Sequence, residues 1–110
     1  MKDLIDELYK INVALVSEAQ MLGHAERKVK ECAAELRLDE SIDGKNAEVR
    51  EAQFIRLTAA NMEYQVLLFG EDEHKREVGL LKAEQERLRQ EISYAKRQLD
   101  LEIACHESTE

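Results

Sequence analysis

Ser41-Ile42-Asp43-Gly44-Lys45-Asn46 is the one stretch in which a helix-favouring chain is told to turn. Gly44 is suited to the left-handed conformation that closes a helix, and Asn46 is a good N-cap whose side-chain oxygen can accept from the first free N–H groups of the next helix. The chain is therefore expected to fold back at residues 41–46. On either side the sequence reads as long amphipathic helix. The fold class that follows is all-α: a helical hairpin or coiled coil of two long helices, in one domain over residues 1–110.

Composition supports this reading. The 110 residues contain no Pro, no Trp and four Gly, and they favour Glu, Leu, Ala, Lys, Arg and Gln, which lose little entropy in a helix. With 36% charged and 5% aromatic residues, the chain suits narrow helix-to-helix seams better than a thick globular core. The net charge is −8, from 24 acids and 16 bases spread along the chain without a basic face. Such a surface opposes phosphate backbones and anionic lipids, so nucleic-acid and membrane partners are not expected. No secretory signal and no run of 18 apolar residues is present, and Cys32 and Cys105 form no Cys-x-x-Cys motif. A cytoplasmic protein with cysteines acting as small apolar residues is expected.

Working outward from the turn, helix 1 carries Leu4, Leu8, Ile11, Leu15, Ala19, Leu22, Ala25, Val29, Cys32 and Leu36. Nine steps cover 32 residues, a period between a heptad and a straight helix. The helix should run from about residue 2 to 40, about 57 Å at roughly 1.5 Å per residue. Ile5, Tyr9, Val13, Val16 and Met21 lie off that stripe and widen the apolar surface beyond what one partner needs. Either a third helix of the chain or another subunit should cover them. Beyond the turn, helix 2 is expected over about 46–69, with the stripe Ile55, Ala59, Met62, Val66 and Phe69. The expected core is Leu15, Leu22, Val29, Ile55, Met62, Val66 and Phe69, centred on Leu67-Leu68-Phe69.

Two readings compete at Gly70-Glu71-Asp72-Glu73. Gly70 could end helix 2, with the acids starting a third helix over about 71–105 and closing a three-helix bundle. Alternatively one helix, straight or kinked, runs through, supported by Glu71 with Lys75 and Asp72 with Arg76 at i, i+4. The lack of Pro or a Ser, Thr or Asn cap at that point favours continuity. The last segment bears Leu81, Leu88, Ile92, Ala95, Leu99 and Ile103, flanked by pairs such as Arg87 with Glu91 and Lys82 with Glu86. It should end near Cys105, with a frayed tail over 106–110. A continuous second helix of about 60 residues would outrun helix 1, and residues 82–103 would show an uncovered stripe. That stripe, from Leu81 to Ile103, is the expected self-association seam.

Chemistry-bearing constellations are weak throughout. His24, His74 and His106 belong to no set with tetrahedral ligand spacing, and only one Glu-x-x-His pair occurs, Glu71 with His74, where a di-metal bundle wants two. No phosphate-binding glycine motif and no nucleophile elbow is present. The expectation is no enzyme, no metal and no cofactor.

The stretch Ile42-Asp43-Gly44-Lys45-Asn46-Ala47-Glu48-Val49-Arg50-Glu51-Ala52-Gln53 resembles a signature of small, uncharacterised helical proteins of bacteriophages and prophages, in which a Gly-Lys-Asn turn follows a long helix. The resemblance implies a viral origin and an accessory role in the host cytoplasm, and it implies no activity. Within the stretch itself, Arg50 is placed to reach back to a carbonyl or carboxylate of the turn, such as Asp43.

The functional expectation is a non-enzymatic coiled-coil interaction module that self-associates as a homodimer. Two alternatives remain at this stage. One is a small acidic inhibitor covering a basic surface of a host enzyme or defence complex. The other is a recombination accessory protein binding nucleic acid through Lys75, Arg76, Arg87, Arg89, Lys96 and Arg97.

Overall fold

A computed structural model describes residues 1–109, and among these it contains three helices and no strand: α1 (Lys2–Arg37), α2 (Ala47–Ala60) and α3 (Met62–Thr109). The all-α expectation holds, with long first and third helices. By internal contacts the chain divides into two compact units, Met1–Ser17 with Glu77–Glu110 (unit 1) and Glu18–Arg76 (unit 2).

The turn forms at the expected place by a different device. α1 stops at Arg37, and its last carbonyls accept from Leu38 and Asp39 in tight i, i+3 bonds. The Asp39 carboxylate then accepts from the Ser41 N–H at 2.9 Å. Gly44 does not take the left-handed conformation expected of it, since no glycine has positive φ. Its requirement is space: a Cβ there would lie 2.9 Å from Val49 Cβ and 3.0 Å from Gln53 Oε1. Asn46 caps α2 as expected, in extended conformation, with its side-chain oxygen accepting from the Val49 N–H at 2.9 Å.

The second break falls at Asn61, and Gly70 lies inside α3. Asn61 leaves the helix with ψ of 111°, and its N–H donates to the Thr58 carbonyl. Its side-chain oxygen accepts from the Tyr64 N–H at 2.9 Å, so one residue ends α2 and caps α3. Gln65 ties the two helices together by donating its amide to the Thr58 carbonyl at 2.9 Å. Helix 2 therefore ends at Ala60, nine residues short of the expected end, and α3 starts at Met62. The far end of α3 also differs, because the helix continues through Cys105 to Thr109; the expected frayed tail is helical up to that residue, and Glu110 lies outside the described residues.

The break at Asn61 changes which faces turn inward. In unit 2, Val29 and Cys32 of α1 and Phe54 and Thr58 of α2 are buried, and Leu67 and Leu68 of α3 are half-buried. Of the expected core, Val29 is buried and Leu15 and Leu22 are half-buried, whereas Ile55, Met62, Val66 and Phe69 are exposed. Those four residues share a face only on an unbroken helix. A non-helical residue at position 61 resets the phase, so Phe54 and Thr58 face inward where Ile55 was expected.

Candidate functional site

The turn motif is locally consumed. Gln53 donates its amide N–H to Asp43 at 3.0 Å, while its oxygen accepts from the Gly44 N–H at 2.9 Å. Arg50 reaches back as expected, to the Gly44 carbonyl rather than to Asp43, at 3.1 Å. Arg37, at the end of α1 where the helix dipole favours a cation, lies 3.8 Å from the centre of the Phe54 ring and donates to Glu51 at 3.1 Å. Asp43, Gly44, Arg50 and Gln53 are thus hydrogen-bonded to one another, and the Asn46 side chain caps α2. The motif joins α1 to α2, and function has to be sought elsewhere.

Titratable groups outside the turn form pairs. His74 Nδ1 lies 3.1 Å from Glu18 in unit 2, a contact between residues far apart in the chain that helical spacing could not reveal. Glu71 binds Lys75 at 2.7 Å, and this hydrogen bond holds the Lys75 ammonium above its ordinary range. Arg87 is clasped by Glu84 and Glu91, and the Glu84 carboxylate bond is the main cause that pushes its guanidinium further up. Two of the six bases in the nucleic-acid reading are therefore matched by carboxylates on their own helix. Burial raises the Cys32 thiol, with the Glu63 and Glu35 carboxylates adding to the effect. Among the described residues, no three of His, Cys, Asp and Glu come together as a metal site would require. No helix is long and apolar enough to cross a membrane.

An open groove of about 250 Å³ in unit 2 is lined by Met21, His24, Lys28, Val66, Gly70 and His74. A Cβ at Gly70 would meet nothing within 4 Å.

Large apolar side chains are exposed in both units. In unit 1, Asn12 accepts from the Gln85 amide at 2.7 Å, Val78 is buried, and Leu88 has 0% of its surface exposed. Leu4, Leu8, Ile11 and Leu15 are half-buried, as the main stripe of helix 1 requires. The expected self-association seam is thereby divided. Leu88 is wholly covered within the chain and Leu81, Ile92 and Ala95 are half-covered, whereas Leu99 and Ile103 stand exposed. Lys96 to Glu107 are all exposed. The reason is the Asn61 break: Asn12 lies opposite Gln85, so the eleven residues that precede Asn12 in the chain, laid antiparallel, reach about Lys96. The widened face of α1 is also uncovered, with Ile5, Tyr9, Val13 and Val16 exposed at spacings of 4, 4 and 3.

The accessible surface of the chain is 8637 Å². Compared with known protein families, with curated proteins and with solved structures, the chain matches none.

Proposed function

We propose that this protein is a non-enzymatic helical interaction module that works by associating with a second copy of itself. The observation that carries the reading is the pair of uncovered apolar faces in unit 1, Ile5 to Val16 on α1 and Leu99 to Ile103 on α3. Large exposed apolar patches on soluble proteins mark interaction surfaces. The resemblance of residues 42–53 to small helical phage and prophage proteins supports an accessory role in such a genome, acting in the host cytoplasm.

Light scattering after size exclusion, at several concentrations and with reductant present, tests the reading. The expected mass is twice 12.7 kDa. A mass of 12.7 kDa at every concentration would overturn it.

A further inference from the structure

We infer that Asn61 is a latch: it holds unit 2 in the observed arrangement against a second one written in the same residues, in which α2 and α3 fuse into one helix that packs on α1 in another register. The inference does not depend on self-association. The break is one residue wide, since Ala60 ends α2 and Met62 begins α3, and neither Pro nor Gly stands between residues 45 and 69. It is held by the Asn61 side chain accepting from the Tyr64 N–H, and by the Thr58 carbonyl accepting from the Asn61 N–H and the Gln65 amide. Without the Asn61 side chain, the Tyr64 N–H is left to the Ala60 carbonyl, the acceptor that a continuous helix supplies.

Ile55, Ala59, Met62, Val66 and Phe69 follow one another at spacings of 4, 3, 4 and 3, a heptad repeat that crosses the break. All five are exposed. They line up only on an unbroken helix, and for that helix the chain already carries the partners. Leu15 and Phe69, Leu22 and Met62, Ala25 and Ala59, and Val29 and Ile55 are pairwise equidistant from Ile42 in the sequence. So are Arg37 and Ala47, where α1 ends and α2 begins, and the turn therefore sets this very register for a straight antiparallel hairpin. Four apolar pairs falling on a register that the turn fixes independently is the observation that carries the proposal.

The observed register is different. Glu18 meets His74, eight residues beyond Val66, its counterpart in the straight hairpin, and Cys32 borders one cleft with Glu63, eleven residues beyond Ala52. Passing from one register to the other slides α3 along α1 by about 12 to 17 Å, at roughly 1.5 Å per residue. Each packing has the defect that the other repairs. The straight hairpin would set Leu8 against Arg76 and Ile11 against Glu73 and would leave Leu88 beyond the reach of α1, whereas the observed arrangement covers Leu88 and leaves Ile55 to Phe69 in solvent. Two packings of one sequence with complementary defects are a bistable element, and a single cap decides between them. Opening the latch uncovers Leu88.

The test is double electron–electron resonance on the full chain, with spin labels on non-natural amino acids at positions 30 and 73, which leaves both cysteines in place. Both positions are exposed and lie in unit 2, and dilution with excess unlabelled chain restricts the reading to distances within one chain. Lys30 and Glu73 are eight to eleven residues out of register in the observed arrangement and nineteen in the straight hairpin. Asn61→Ala should therefore lengthen the distance by about 10 to 15 Å, with helical circular dichroism retained. Val66→Glu alters an exposed residue and should leave the parent distance unchanged, but added to Asn61→Ala it should abolish the long distance. An Asn61→Ala chain that keeps the parent distance, or that loses helix without showing the long one, would overturn the proposal. So would a long distance that survives Val66→Glu, because the stripe would then play no part.

Discussion

Units 1 and 2 are made from the same two long helices, yet unit 2 buries Val29, Cys32, Phe54 and Thr58 while unit 1 buries Val78 and Leu88. What differs is the number of helical segments. In unit 2, α2 adds a third, so the apolar surface of α1 can be covered by two neighbours, and Arg37 seals the edge over Phe54. In unit 1 two segments share a single seam. Leu88 is covered there, and everything off the seam, from Ile5 to Val16, meets solvent. The third helix covers Val29, Cys32, Phe54 and Thr58 in unit 2, yet Met62, Val66 and Phe69 stay exposed there as Ile5 to Val16 do in unit 1.

The largest effects expected from this comparison are at Leu88 and Phe54. Leu88→Ala should cost about 3 kcal/mol, within the 2 to 5 usual for a buried leucine. Phe54→Ala should cost a similar amount, about 3 to 5 kcal/mol. Urea denaturation gives the totals, and amide hydrogen exchange separates the units. Leu88→Ala should speed exchange in 1–17 and 77–107 more than in 18–76, and Phe54→Ala should do the reverse. Equal loss everywhere in both variants would break the comparison, because the two seams would then be stabilised as one.

Much of this arrangement was legible in the sequence, and the parts that were not have physical reasons. The turn at 41–46 and the Asn46 cap could be read because capping chemistry is local. The width of α1 could be read from Ile5, Tyr9, Val13 and Val16. Continuity through Gly70 could also be read, because no Pro or capping residue stands there and a helix interior tolerates a glycine at about 1 kcal/mol; Gly70 lies inside α3. Asn61 is a stronger signal, because its side chain can replace the backbone partner that a helix would supply. With residue 61 outside the helix, Ile55 falls out of phase with Met62, Val66 and Phe69, and Leu88 comes within the reach of α1. The His74 to Glu18 contact spans 56 positions of chain and has no periodic signature at all.

Glycine substitutions sharpen the contrast between the units by sign. Gly44→Ala in unit 2 places a methyl group against Val49 and Gln53, both packed into the turn, and should destabilise by about 1 to 3 kcal/mol as overpacking does. Gly79→Ala in unit 1 meets nothing within 4 Å and lies inside α3, so it should stabilise by about 0.5 to 1 kcal/mol through helix propensity. Urea midpoints should move in opposite directions. A stabilising Gly44→Ala would mean that the turn does not need the close approach of Val49.

The smallest expected effect is electrostatic. Asp39 in unit 2 is held below its ordinary 3.8 by hydrogen bonds from the Ser41 side chain and N–H, and Glu84 in unit 1 is held below its ordinary 4.5 chiefly by its hydrogen bond from Arg87. A carboxylate with a depressed folded value contributes stability that is present above its unfolded value and is lost as pH falls through the folded one. Asp39→Asn and Glu84→Gln should each be less stable than the parent at pH 7, with the deficit shrinking once the pH drops below 3.8 and 4.5 respectively. Salt separates the two. Glu84 engages a full charge, and Asp39 engages neutral donors, so high salt should narrow the Glu84→Gln deficit and leave that of Asp39→Asn nearly unchanged. Equal salt sensitivity would show that Asp39 is held by the charge of its surroundings, and that the α1 end of unit 2 is tied down less by the Ser41 bonds than their geometry indicates.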